Sequence, residues 1–151
     1  MTRLERIVYY KTVLLTCADK SSDHVREAKR KLAQTDLFFL LLWICKRKDL
    51  NQDWFYDRCN EVQDEPDGRL DLWSREHGKS SLRTFGKTIQ DILASHGDDP
   101  LIDREQCIGI FSHTRPIAKG FLRQIKYEFE TNTLLKTVFN DVLWDNPSKQ
   151  A

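Results

Sequence analysis

The octapeptide Ser74-Arg75-Glu76-His77-Gly78-Lys79-Ser80-Ser81 holds the residue types that grip a polyphosphate. A Gly-Lys-Ser triplet between a short strand and a helix supplies three things: backbone N–H groups around phosphate oxygens, the Lys79 ammonium on the outer phosphates, and the Ser80 hydroxyl for Mg²⁺. The usual phosphate-loop pattern also has a glycine five positions before Gly78, and Trp73 stands there instead. Nucleotide binding then depends on the segments around the triplet.

Those segments have the order of an α/β protein. Arg69 to Trp73 is expected to be a strand leading into the loop, and Ser80 to Ala94 a helix with Leu82, Phe85, Ile89, Ile92 and Leu93 on its apolar side. Gly97-Asp98-Asp99-Pro100 breaks that helix. Cys107-Ile108-Gly109-Ile110-Phe111 follows as a second buried strand, and Arg115 to Glu130 as another helix. Strand, loop, helix, strand, helix is an incomplete P-loop NTPase core of the α/β class.

An α-helical leader precedes it. Leu4, Ile7, Val8, Leu14 and Leu15 are spaced for one helical face, and Val25, Ala28 and Leu32 for another. Thr35 or Asp36 is placed to cap the apolar run Leu37 to Cys45, and Asn51 to cap a helix carrying Trp54, Phe55, Cys59 and Val62. Asp64-Glu65-Pro66-Asp67-Gly68 is a solvated turn. The expected division is a helical leader over 1–64 and a second domain over 65–151.

Three stretches together resemble the ATPase region of phage terminase large subunits: the loop Ser74 to Ser80, the strand end Phe111-Ser112-His113-Thr114, and the helix Ile117-Ala118-Lys119-Gly120-Phe121-Leu122-Arg123-Gln124-Ile125-Lys126. The resemblance runs from roughly Leu50 to Pro147. In that family the phosphate loop lacks its first glycine and carries an arginine three residues before the Gly-Lys pair, where Arg75 stands. The resemblance implies an ATP- and Mg²⁺-dependent motor that drives double-stranded viral DNA into a capsid and cuts the concatemer. It implies the portal protein and the small terminase subunit as partners, and the bacterial host cytoplasm as location. It also implies roles: Lys79 on the outer phosphates, Ser80 on Mg²⁺, the backbone from Glu76 to Lys79 as the anion cradle, and Ser74, His77 and Ser81 as flanking loop residues. Arg75 would stabilise charge that develops during γ-phosphoryl transfer.

Hydrolysis by such a fold also needs a strand ending in an aspartate for the metal, followed by a glutamate that activates water. Val142-Leu143-Trp144-Asp145 imitates it weakly, with Asn146-Pro147 where the acid should follow, and the acidic cluster of a nuclease domain is missing from the sequence. The chain is therefore expected to be the N-terminal part of the ATPase domain, as a fragment, a truncated prophage gene or one part of a split gene, without turnover of its own. Unpaired strand edges would favour self-association. The alternative is a motor remnant that acts only as a protein-interaction module.

Composition narrows the rest. At 151 residues, 40% hydrophobic and 31% charged, the chain can bury a real core, and a net charge of +1 gives no general pull toward nucleic acid or an acidic membrane. Cys17, Cys45, Cys59 and Cys107 lack paired ligand spacing, as expected of free thiols in a reducing compartment. The run from Leu37 to Cys45 is far short of the roughly 20 apolar residues that span a bilayer and is expected to be a buried helix. Trp54 and Phe55 are expected in the core, while Gln52 or Gln63 could offer an amide to a base. Ser112 and His113 would point to opposite faces of a strand, which disfavours a nucleophile pair. Lys119, Arg123 and Lys126 form a small basic stripe on one helix, with Glu128 and Glu130 close by.

Overall fold

Capping residues set where the first helices begin. In the computed structural model, which describes residues 1–65, 72–74, 77–95 and 107–143, Thr2 opens α1 (Arg3–Ala18) with a capping box. Its hydroxyl accepts from the Glu5 N–H, and the Glu5 carboxylate accepts from the Thr2 N–H. Ser21 caps α2 (Ser22–Thr35) by accepting from the His24 N–H. Asp36 ends α2 in an extended conformation, and its Oδ1 accepts from the Phe39 N–H, so the chain turns a corner and restarts at once as α3 (Leu37–Phe39). α3 continues as a π-helical segment, Leu40–Ile44, closed by the Cys45 N–H on the Leu40 carbonyl. A 3₁₀ turn, Lys48–Leu50, then leads to α4 (Asp53–Asp64).

One buried carboxylate ties these helices together. Asp36 Oδ2 accepts from the Tyr10 hydroxyl at 2.6 Å and from Arg6 Nε at 2.8 Å, both on α1. Gln63 of α4 finishes the corner: its Oε1 accepts from the Leu37 N–H and its Nε2 donates to the Thr35 carbonyl, each at 2.7 Å. Phe38, Phe39, Leu40, Leu41 and Ile44 are fully buried around this junction, with Tyr10 edge-on to Phe39. The apolar run is thus core, and among the described residues no helix is long and apolar enough to cross a membrane.

The Asp36 junction also explains a departure from the apolar pattern of α1. Leu4, Val8 and Leu15 are exposed, whereas Tyr10 is buried. At about 100° per residue, Arg6 and Tyr10 lie on the side of the helix opposite those three. Engaging Asp36 turns Leu4, Val8 and Leu15 outward, while Ile7 and Leu14 of the expected stripe are half-buried. Asn51 is likewise not the cap of α4; Gln52 holds that position without a side-chain bond, and Asn51 Oδ1 accepts from Arg3 Nη1.

The described residues fall in two units, Met1–Leu72 and Trp73–Ala151. In the second, a π-helical segment, Ser80–Lys87, runs into α5 (Thr88–Ser95). α6 (Arg115–Thr131) has Pro116 in its first turn and packs against the π-helical segment. α7 (Thr133–Val138) is capped by Asn132, which accepts from the Leu135 N–H.

The α/β expectation is overturned here. Among the described residues the protein is all helical, with no strand and no sheet, so no P-loop NTPase core forms. Arg69, Leu70 and Asp71 lie outside the described residues, and Leu72 beside them is 82% exposed. Cys107 to Phe111 pairs with no described segment, and Phe111 is 94% exposed. Val142 and Leu143 lie in the turn region after α7, while Trp144 and Asp145 fall outside the described residues. A strand satisfies its backbone only across a ladder, whereas a helix satisfies its own. Short apolar runs without a partner strand therefore stay unpaired.

Asp36→Ala should remove the α3 cap and leave Arg6 and Tyr10 without their acceptor, costing about 3 kcal/mol in urea unfolding, with a smaller loss for Asp36→Asn. Burial, reinforced by the Asp36 charge, pushes the Tyr10 hydroxyl well above its ordinary pKa of 10.0. The folded state thus keeps a proton that the unfolded chain releases, so this contribution is whole below pH 10 and falls by about 1.4 kcal/mol per pH unit above it. Stability measured from pH 9 to 11 should fall more steeply for the wild type than for Tyr10→Phe; equal slopes would contradict the assignment.

Candidate phosphate-binding site

Gly78 stands at φ 69°, a left-handed conformation that glycine adopts without the Cβ clash of other residues. It turns the chain into the helix that begins at Ser80. Lys79 holds the N-cap position with helical dihedrals and makes no side-chain capping bond, and the Leu82 N–H bonds back to the Gly78 carbonyl at 2.9 Å. The first-turn N–H groups of a helix have no acceptor behind them within the helix, and the positive end of the helix dipole lies in the same place.

Around this turn lies a solvent-open hollow of about 480 Å³, lined by Trp73, Ser74, His77, Gly78, Lys79, Ser80 and Ser81. Its volume falls within the roughly 300–1,000 Å³ of small-molecule sites. Lys79 and Ser80 are exposed, as residues meeting a ligand from solvent must be, and Ser81 is half-buried. The structure therefore gathers six of the eight expected loop residues, with Trp73 beside them. Arg75 and Glu76 lie outside the described residues. Lys79 suits phosphate oxygens as a point charge, and the Ser80 hydroxyl suits an ion that a phosphate carries with it. Among the described residues no cluster of three or more His, Cys, Asp or Glu side chains could hold a metal directly.

The other expected site residues are not among those that line the hollow. The Gln63 amide is committed to the α2–α3 corner, and Gln52 Nε2 donates to the Asp49 carbonyl at 3.2 Å. Phe55 is buried, but Trp54 is 40% exposed, with the Arg58 guanidinium 5.9 Å from its ring centre. Ser112 and His113 are exposed ahead of α6. On α6, Lys119, Arg123 and Lys126 are exposed together with Arg115, the first residue of the helix, which falls on the same side at helical spacing and is not part of the stripe expected from the sequence. Glu128 accepts from Asn132 Nδ2 at 2.6 Å.

None of the four cysteines is in a disulfide, and burial raises the pKa of Cys59 well above the ordinary thiol range. The π register from Ser80 is the feature that sequence reasoning missed, because the spacing of Leu82, Phe85 and Ile89 also fits an ordinary α-helix. Such segments occur often at functional sites.

Gly78→Ala should force a Cβ into the left-handed region and cost about 1 kcal/mol of stability while weakening phosphate binding. Thermal unfolding with and without inorganic tripolyphosphate checks both; a variant as stable and as strongly shifted by the anion as the wild type would contradict the role of this turn. Comparison of the chain with family models, curated proteins and solved structures finds no match.

Proposed function

We propose that this protein binds the phosphate end of ATP, with its Mg²⁺, in the hollow at the start of the Ser80 helix. The observation that carries the proposal is the convergence of Lys79, Ser80 and the left-handed Gly78 on one ligand-sized hollow at a helix N-terminus. Within the same proposal, the chain is the ATP-binding part of a DNA-packaging motor of the terminase large-subunit type. Double-stranded viral DNA, a portal protein and a small terminase subunit would be its partners. Support for that wider identity comes from the resemblance of the loop, the segment ending in Thr114 and the helix after it. The proposal is for binding rather than turnover, since the second carboxylate that hydrolysis requires has no counterpart in the motif near Asp145.

A second role has an observation of its own. α1 presents Leu4, Val8 and Leu15 to solvent along one face, as a helix that docks on another protein would. Nucleotide dependence separates the two. Titration with a fluorescent ATP analogue and Mg²⁺ should saturate for the wild type and weaken at least about ten-fold in Lys79→Ala, as loss of a charge-assisted contact requires. Absence of binding by both proteins would leave the interaction role standing alone.

A further inference from the structure

We infer that Trp73 is the platform on which the base of the bound nucleotide stacks, which makes the hollow selective for nucleotides over bare polyphosphates. This rests on the phosphate site proposed above and names what else that site takes. Trp73 lines the same hollow as Lys79 and Ser80, and it is half-buried, so part of its surface is held by the protein while part remains accessible.

Its chemistry differs from that of its neighbours. Ser74, Lys79, Ser80 and Ser81 bring hydroxyls and a cation, which serve phosphate, ribose and metal. The indole brings a large flat π face, which serves a base. Sequence position sharpens the point. The residue five before Gly78 is the place where a phosphate loop ordinarily carries glycine, and here it carries the bulkiest side chain available. A side chain of that size on the wall of a ligand-sized hollow replaces close backbone approach with aromatic surface. Stacking tolerates any base, because every base has a π face, so the expected selectivity is for the presence of a base rather than for adenine.

Calorimetric titration of the whole chain with Mg²⁺-ATP and with Mg²⁺-tripolyphosphate, on the wild type, Trp73→Ala and Trp73→Phe, tests this. Far-ultraviolet circular dichroism confirms that each variant keeps its helices. Trp73→Ala should weaken ATP about ten-fold and leave tripolyphosphate nearly unchanged, while Trp73→Phe, which keeps an aromatic face, should recover most of the ATP affinity. Unchanged ATP affinity in Trp73→Ala would overturn the inference and leave the phosphate site intact. Parallel losses of ATP and tripolyphosphate would overturn it too, by making Trp73 a support of the loop. A wild-type chain that binds neither ligand would remove the phosphate site itself, and the inference with it.

Discussion

Pairing of backbone polar groups at helix ends is the constraint on which this structure turns. A buried N–H or carbonyl must find a partner, and the two ends of every helix leave several without one inside the helix. At the α2–α3 corner side chains supply the partners: Asp36 takes the Phe39 N–H, and Gln63 takes the Leu37 N–H and the Thr35 carbonyl. Because Asp36 also accepts from Arg6 and Tyr10, the same carboxylate sets the rotation of α1. Burial works against the charge on Arg6, yet its hydrogen bonds to Asp36 and Tyr10 override that penalty and hold its pKa above the ordinary arginine value. A charged corner inside an aromatic core is stable only because each of its groups is matched.

The helix beginning at Ser80 is built differently. Its N-cap residue, Lys79, makes no side-chain capping bond, Gly78 is left-handed, and Trp73, Ser74 and His77 wall a hollow at the helix start. The requirement that closes the Asp36 corner with protein groups leaves this helix start facing a space that an anion suits. One property of helix termini thereby has opposite outcomes in the two units.

The two halves were not equally legible in the sequence. In the first unit, apolar spacing marked the helices, and of the two residues read as caps for the Leu37 run, Thr35 or Asp36, it is Asp36 that caps, whereas Asn51 does not cap α4. The orientation of α1 was not legible, because it depends on a contact between residues 6, 10 and 36 that spacing alone cannot register. In the second unit, Gly78-Lys79-Ser80 marked a turn at a helix start from three residues, since the backbone requirement there is local. The strands expected on either side were not found among the described residues, because a strand is a relation between segments: Leu72 and Phe111 have suitable side chains but no ladder. The α/β expectation came from the order of apolar runs and breakers and was shared by the resemblance to terminase large subunits, and the helical fold separates the loop from that framework.

Backbone amide chemical shifts in an isotope-labelled sample, followed while Mg²⁺-tripolyphosphate is added, test the central claim most directly. Saturable shifts centred on Gly78, Lys79, Ser80 and Ser81, with α1 to α4 unmoved, are the result this account predicts. Shifts that fail to saturate, or that saturate on another part of the protein while these four amides stay in place, would contradict it.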